Sequence, residues 1–358
     1  MSFEALSGAR QYSLPQAEKE RLLLAELNRL TAHHRANCAD YARIVEVTGA
    51  PTSADSLEEV PYLPIGLFKS HTLTSVPAKQ VFKTLTSSGT TGQPVSRITL
   101  DKETALRQTA TLGRIVGHIV GLERLPMILI ETSAILKDRE RLSARAAGLL
   151  GMMNFGRSHF YALGEDMELD EAGLRGFLER FGGTPFLLFG FTFMVWQYFY
   201  ARIRHLDFDL SNGTLLHSGG WKKLQEQAVS NQAFKRHLAE STGLTRIYNF
   251  YGMAEQVGSI YVEGEDGFLY SPNAGDIIIR DPVTLKPVAS GSPGVIQVLS
   301  ALPLSYPGHS ILTEDMGVIH GVDDSTCGRF GKRFTVLGRV PETELRGCSD
   351  VHAHEAAS

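Results

Sequence analysis

The sequence predicts an α/β protein with a mainly parallel, layered sheet, followed by a β-rich subdomain. Three observations lead there. Short apolar runs alternate with amphipathic stretches of helical period between residues 96 and 250. After Glu255 the helical patterning stops, and short strand-like segments follow one another to Gly338. Polar, glycine-bearing stretches also fall directly after predicted strands, where ligands of such sheets bind.

Taken in order, an N-terminal helix is expected from Ser13, with Ser13 and Gln16 as a capping box, Pro15 in the first turn and Leu23, Leu27 and Leu30 on one face. His33 and His34 follow; adjacent helical residues do not face each other, so they make a poor metal pair. Residues 53–68, with Pro61 and Pro64, read as an extended connector. Strands are expected at 96–100, 127–131, 186–189, 214–216 and 246–250. Helices are expected from the N-cap Asp101 and at 137–150, 170–181, 191–204 and 222–241. The uncharged run Gly182 to Ala201 is nearly long enough to span a bilayer, but no Lys/Arg asymmetry flanks it. It reads instead as a buried strand, a turn at Gly190 and a helix. The β-rich part offers strands at 259–263, 267–270, 276–280, 294–299, 310–312, 317–320 and 333–338. Domain boundaries follow: an α/β core over 1–258 that includes the N-terminal helical segment, a β-rich subdomain over 259–338, and a hinge and tail over 339–358.

Composition narrows the function classes. With 358 residues, 43% apolar and 21% charged, the chain has enough material for one large or two ordinary globular domains. A net charge of −4 supplies no basic field for nucleic acid and no polybasic membrane patch. Three cysteines, Cys38, Cys327 and Cys348, form neither a disulfide framework nor a zinc pattern, which fits a reducing, cytoplasmic setting. The first residues lack the charged and apolar regions of a signal peptide, so none is expected.

The chemistry-bearing stretches are three. Thr86-Ser87-Ser88-Gly89-Thr90-Thr91-Gly92-Gln93-Pro94 holds five hydroxyls and two glycines, with proline its sole apolar residue. Such a loop is either a solvated turn or a donor-lined anion cradle; it is no Walker A loop, because no lysine follows the last glycine. His217-Ser218-Gly219-Gly220-Trp221-Lys222 and Tyr248-Asn249-Phe250-Tyr251-Gly252-Met253-Ala254-Glu255 end consecutive strands. Paired glycines let backbone lie flat against an aromatic base, and a carboxylate at a strand end, Glu255, suits a hard cation such as Mg²⁺. Singly, each of these stretches also reads as an ordinary strand-end turn.

Together and in order they resemble the adenylate-forming superfamily of acyl- and aryl-CoA ligases, luciferases and peptide-synthetase adenylation domains. The hydroxyl-rich loop resembles its phosphate-binding motif and Gly219-Gly220 its adenine-flanking pair. Tyr251-Gly252-Met253-Ala254-Glu255 resembles its Tyr-Gly-x-Thr-Glu motif, with Ala254 in place of the usual threonine. Thr313-Glu314-Asp315 resembles the Thr-Gly-Asp motif, and Gly338-Arg339 the hinge that normally leads into a mobile C-terminal domain. Here about twenty residues follow that hinge, ending past Arg346-Gly347-Cys348, and this pattern resembles the acyl-protein synthetase (LuxE) family over roughly residues 15 to 350.

The resemblance implies ATP and Mg²⁺ as cofactors and a core lacking the usual C-terminal domain. It implies that a carboxylic acid, of the fatty acyl class, is converted to acyl-AMP with pyrophosphate release. Thr86, Ser87, Ser88, Gly89, Thr90, Thr91 and Gly92 would hold the phosphates, Glu255 the metal, Asp315 the ribose hydroxyls, and Tyr251 would flank the adenine. Lys222 is the candidate for the lysine that the absent domain normally supplies. Cys348 matches the acyl-carrying cysteine, which would receive the acyl group and pass it to a reductase or carrier-protein partner. Direct transfer to CoA, a carrier thiol or an amine, and a non-catalytic nucleotide- or acyl-binding protein, remain alternatives. The aromatic run from Phe186 to Tyr200 reads mainly as core, with Phe191 and Phe193 as candidates to face an acyl pocket.

Overall fold

The computed structural model describes residues 2–86, 95–136, 144–221 and 228–340. The chain divides into two compact units, Phe82–Leu269 and Met1–Val81 with Tyr270–Ser358.

The Phe82–Leu269 unit is a three-layer α/β/α sandwich. Its parallel strands lie in the order Gly156–Leu163, Leu125–Thr132, Phe186–Phe191, Gly213–Ser218 and Arg246–Tyr251, and Tyr261–Glu263 then adds antiparallel. Side chains alternate across a strand, and here both faces are apolar. Ile128, Ile130, Phe186, Leu188 and Leu215 enter one core, with Leu174, Phe177, Phe234 and Leu238 from helices. Met127, Leu129, Leu187, Phe189 and Leu216 enter the other, with Ile115, Val116, Leu149 and Met152 from helices. The continuous apolar runs of the sequence are therefore strands buried on both sides. Asp101 caps the helix Lys102–Val120 through the N–H of Thr104. Asp170 caps Glu171–Phe181 through that of Gly173, and Ser230 caps Asn231–Thr242 through that of Ala233.

Several expectations need correction. The strand Gly156–Leu163 is additional, because its polar Arg157, Ser158 and His159 break the apolar pattern at a sheet edge. Gly190 is not a turn but lies within its strand, paired with Ile130 and His217. A Cβ there would sit 2.8 Å from Val195 Cγ2 and 2.9 Å from Ile130 Cβ, so close packing excludes a side chain. The last helix begins at Asn231 rather than before residue 228. The run Gly182 to Ala201 holds the strand and the helical segment that follows, and among the described residues no helix is long and apolar enough to cross a membrane.

The other unit pairs an N-terminal helical layer with an antiparallel sheet of Gly275–Arg280, Gly294–Ser300, Ser310–Val322 and Lys332–Arg339. The N-terminal helix, expected with the α/β core, instead buries Leu23, Leu27 and Leu30 with Ile278 and Leu299 of this sheet and the preceding Ala274. That helix runs Gln16–Asn37 and has no side-chain cap of its own. Ser13 Oγ donates to the Arg10 carbonyl instead, and the Gln16 N–H donates to Asp323, so a residue distant in sequence replaces the expected capping box. A further helix, Ser2–Gly8, precedes it. In the connector, Leu63–Pro64 adds parallel to Ile311–Leu312. The two strands expected at 310–312 and 317–320 are one, Ser310–Val322, whose register shifts beside Met316 and Gly317. Thr313-Glu314-Asp315 is therefore strand and not turn.

Candidate functional site

The site in the Phe82–Leu269 unit is built at the carboxyl ends of its parallel strands. The helix after Leu125–Thr132, Ala144–Met153, packs on one face through Leu149 and Met152. The segment after Phe186–Phe191 packs on the other through Met194, Val195 and Phe199. Chains leaving adjacent strands toward opposite faces open a crevice between them, the usual ligand position in such sheets. Phe191 stands at its mouth and packs against both cores. A Cβ on Gly148 would lie 3.5 Å from its ring, and one on Gly219 3.7 Å.

Sheet register sets the remaining groups in rows. Gly190, His217 and Asn249 are neighbours across three strands, and Phe191, Ser218 and Phe250 form the next row. Beyond them Gly219 has φ +86°, a left-handed conformation that side chains resist, and nothing lies within 4 Å of a Cβ on Gly220. Tyr251 is half-buried, 6.0 Å from Tyr261 between ring centroids, and a Cβ on Gly252 would lie 3.0 Å from Ile260 Cγ2. Glu255 sits on the 3₁₀ turn Ala254–Gln256 and is 4% exposed. A carboxylate so buried needs a cation or several donors. No metal-binding group of three or more His, Cys, Asp or Glu side chains occurs among the described residues. Glu255 is the carboxylate at this strand end that could serve Mg²⁺ as a single protein ligand, with phosphate oxygens and water completing the coordination this ion prefers.

Sequence reasoning did not find the supports around these groups. The helix Lys102–Val120 buries a polar stripe, Thr104, Gln108 and Thr111, at helical spacing. Gly258, at φ +89°, approaches it so closely that a Cβ would lie 2.7 Å from Gln108 Cα and O. The turn that carries Glu255 is thus pinned against this helix. Glu131, 1% exposed at the end of its strand, accepts from the N–H of Thr132 and pairs with Arg145 at 3.0 Å. Glu263, equally buried, accepts from Lys235 and from the Asn249 N–H, fixing the strand that leads into Tyr251. The signal for all three was polarity at positions whose periodicity marks them as inward-facing. An open depression bounded by Arg175, Glu179, Asp207 and Asn212 lies instead at the amino ends of the strands, away from these groups.

His217 is the clearest omission. It is 2% exposed, and its Nδ1 lies 3.0 Å from Thr192 Oγ1. Its ring centroid is 4.7 Å from that of Phe234. Burial, aided by the charge of Lys235, pushes its pKa down to about 3, so the imidazole is neutral near pH 7. The aromatic stretch around it is core for the most part: Met194, Val195 and Phe199 are buried, while Phe191, Phe193 and Trp196 are half-buried against the core. Residues Val195–Tyr200 form a π-helix, an irregularity common beside functional sites.

In the other unit, Asp315 and Arg339 are cross-strand partners. The Asp315 N–H donates to Thr313 Oγ1, which donates to the Ile296 carbonyl, so the threonine holds the strand at the aspartate. Arg339 is exposed, and the next residue, Val340, donates its N–H to the Glu314 carbonyl. Of the expected phosphate loop only Thr86 is described; it pairs with Arg97 on the neighbouring strand. Ser87, Ser88, Gly89, Thr90, Thr91, Gly92, Lys222 and Cys348 lie outside the described residues.

Comparison with known proteins bears on the same arrangement. The family model described as "Acyl-protein synthetase, LuxE" matches residues 4–356. The long-chain-fatty-acid–luciferin-component ligase of Vibrio harveyi is 23% identical over 353 residues, covering 95% of this chain and 89% of that protein. The Aliivibrio fischeri protein of the same name is 23% identical over 302 residues, covering 82% and 78%. Among solved structures, an open conformation of 2-hydroxyisobutyryl-CoA ligase with 2-HIB-AMP and CoA superposes with a TM-score of 0.71 at 18% identity, over 92% of this chain and 77% of that one. Its fold is the adenylate-forming fold expected from the motifs. The chain belongs to the LuxE acyl-protein synthetase family.

Proposed function

We propose that this protein activates a carboxylic acid of the fatty acyl class with ATP, releasing pyrophosphate, and that the acyl group then passes to the thiol of Cys348 on its way to an acceptor. The buried carboxylate of Glu255, on the turn that follows Tyr251 and the strand paired with that leading to Gly219 and Gly220, is the observation that carries the reading. The family match and the names of the two bacterial relatives support it.

A carboxylate is a poor acyl donor because its leaving group would be oxide. Its attack on the α-phosphate of ATP forms a new C–O–P link, expels pyrophosphate and leaves acyl-AMP, from which a phosphate group departs readily. Both reactants are anions, so the site must offset their repulsion. Magnesium, when bound, supplies positive charge to the phosphate oxygens. Glu255 would hold it and the hydroxyls of Thr86 to Thr91 would donate to the phosphates. Gly219 and Gly220 leave room for the adenine, which Tyr251 would flank, and Asp315 would accept from the ribose hydroxyls. Lys222 would supply the remaining cation. In the second step the Cys348 thiolate attacks the acyl carbon, a thioester forms and AMP leaves with the electron pair.

The test is acid-dependent exchange of labelled pyrophosphate into ATP, followed by acyl labelling of the protein. Cys348→Ser is expected to keep exchange and lose the label. Label on the Ser variant overturns the cysteine step, and no exchange with any carboxylic acid overturns adenylation.

A further inference from the structure

The buried His217 has more chemistry than the reaction above uses. Among the described residues its Nε2 has no hydrogen-bond partner, although the side chain is almost wholly removed from solvent. Buried polar atoms are rarely left so, because desolvation costs the group its water without return. The position is also distinctive. His217 is the penultimate residue of its strand, one step before Ser218 and Gly219 at the crevice. Thr192, which holds Nδ1, opens the helical segment on the same face. The walls are aromatic: Phe234 against the imidazole, with Trp196 and Trp221 against Phe234. A single open nitrogen among apolar rings matches a ligand that is apolar along its length and polar at one point.

We propose that His217 determines acid specificity: its open nitrogen meets an oxygen substituent on the acyl chain, so the preferred acid is a hydroxylated or oxo-substituted one rather than a plain alkyl acid. The inference rests on the adenylation reading for the site's role and adds the class of acid. Thr192 decides which partner Nε2 accepts. If the threonine hydroxyl donates to Nδ1, Nε2 carries the proton and donates to a carbonyl or hydroxyl oxygen. If Nδ1 donates to the threonine, Nε2 accepts from a hydroxyl. A hydroxyl satisfies both tautomers, an oxo group only the first. Because the ring is neutral, it selects a dipole and not a second carboxylate. Thr192 acts through His217 and is a positioning residue.

The chain's two tryptophans, Trp196 and Trp221, both lie in this cluster, so intrinsic fluorescence reads acid binding here without any turnover. The full-length protein is titrated with saturated acids of one chain length, unsubstituted or carrying one hydroxyl at successive carbons, and pyrophosphate exchange is measured on the same series. One positional isomer is expected to bind about tenfold more tightly than the plain acid, the worth of one hydrogen bond between neutral groups. In His217→Leu that ratio is expected to fall to about one, and in Thr192→Val to shrink. Equal affinity of the wild-type protein for every isomer and the plain acid overturns the inference, whether or not the variants fold. Exchange without discrimination leaves adenylation standing and removes the role of His217. Discrimination by fluorescence without exchange does the reverse.

Discussion

The two compact units bury polar groups to opposite ends. In the unit of the N-terminal helices, the buried Asp276 and His34 and one nitrogen of His309 are answered by residues far apart in sequence, although His309 Nδ1 has no hydrogen-bond partner among the described residues. Asp276, fully buried, accepts from Gln16 Nε2 and the Ile277 N–H, with Lys19 at 3.7 Å and Lys332 at 3.4 Å. His34 and His309 stack at 5.0 Å; Ser75 and the Pro303 carbonyl meet the first, and Thr31 and Tyr41 lie at the second. These contacts tie helix to sheet. In the Phe82–Leu269 unit, Glu255 and His217 instead bury their polarity at and just beyond the carboxyl ends of adjacent strands. Polarity of the first kind is expected to govern stability, and polarity of the second kind to govern binding and turnover.

Four experiments press on that contrast. Asp276→Asn leaves the buried Lys19 without its ion-pair partner, while Lys332 keeps Glu20 at 3.6 Å, and should cost about 3–5 kcal/mol, read as a lower urea midpoint. A midpoint unchanged within error would place Asp276 among ornaments of the surface, contrary to its burial. Glu255→Gln keeps the shape and removes the charge, so pyrophosphate exchange should fall about 100-fold or more while the urea midpoint moves little. If stability fell and exchange held, the contrast between the units would be inverted.

Acid should weaken both units. Burial holds His217 and His309 at a pKa of about 3, and it holds His34 well below 6.5, an effect increased by the charges of His309 and His33. Below pH 6.5 the unfolded chain takes up protons that the folded chain refuses. Stability should therefore fall as pH falls, by about 1.4 kcal/mol per unit for each of His217 and His309 until these rings titrate near pH 3, with a further contribution of the same sign from His34. Above pH 6.5 these groups contribute no slope. A His309→Gln variant with the wild-type acid slope would exclude that ring as a source. The smallest effect separates two glycines of similar φ. Gly258→Ala meets the Gln108 backbone at 2.7 Å, whereas Gly291→Ala meets nothing within 4 Å. Both pay backbone strain of about 1–2 kcal/mol, and Gly258→Ala should lose about 1–3 kcal/mol more, together with exchange activity, because it displaces the Glu255 turn. Equal midpoints for the two variants would mean that this turn is not pinned.

Much of the fold was legible where local rules and tertiary packing agree. Apolar runs bounded by glycine and proline became strands, and the expected cap Asp101 began a helix, because capping and two-sided burial are properties of a few adjacent residues. The Ser13–Gln16 box failed because Asp323 supplies a better acceptor from elsewhere in the chain. Gly190 failed as a turn because its lack of a side chain serves close packing against Val195 and Ile130.

By itself the sequence determined the layered α/β class, the order of the motifs and the candidacy of Glu255, Gly219, Gly220, Tyr251 and Asp315. Residue type and spacing along one chain suffice for those. Tertiary structure alone decided that the Gln108 helix backs the Glu255 turn, that Glu263 fixes the neighbouring strand through Asn249, and that His217 is buried with one nitrogen open. Each of these is a contact between residues distant in sequence, and its energy depends on burial and geometry that no local pattern encodes.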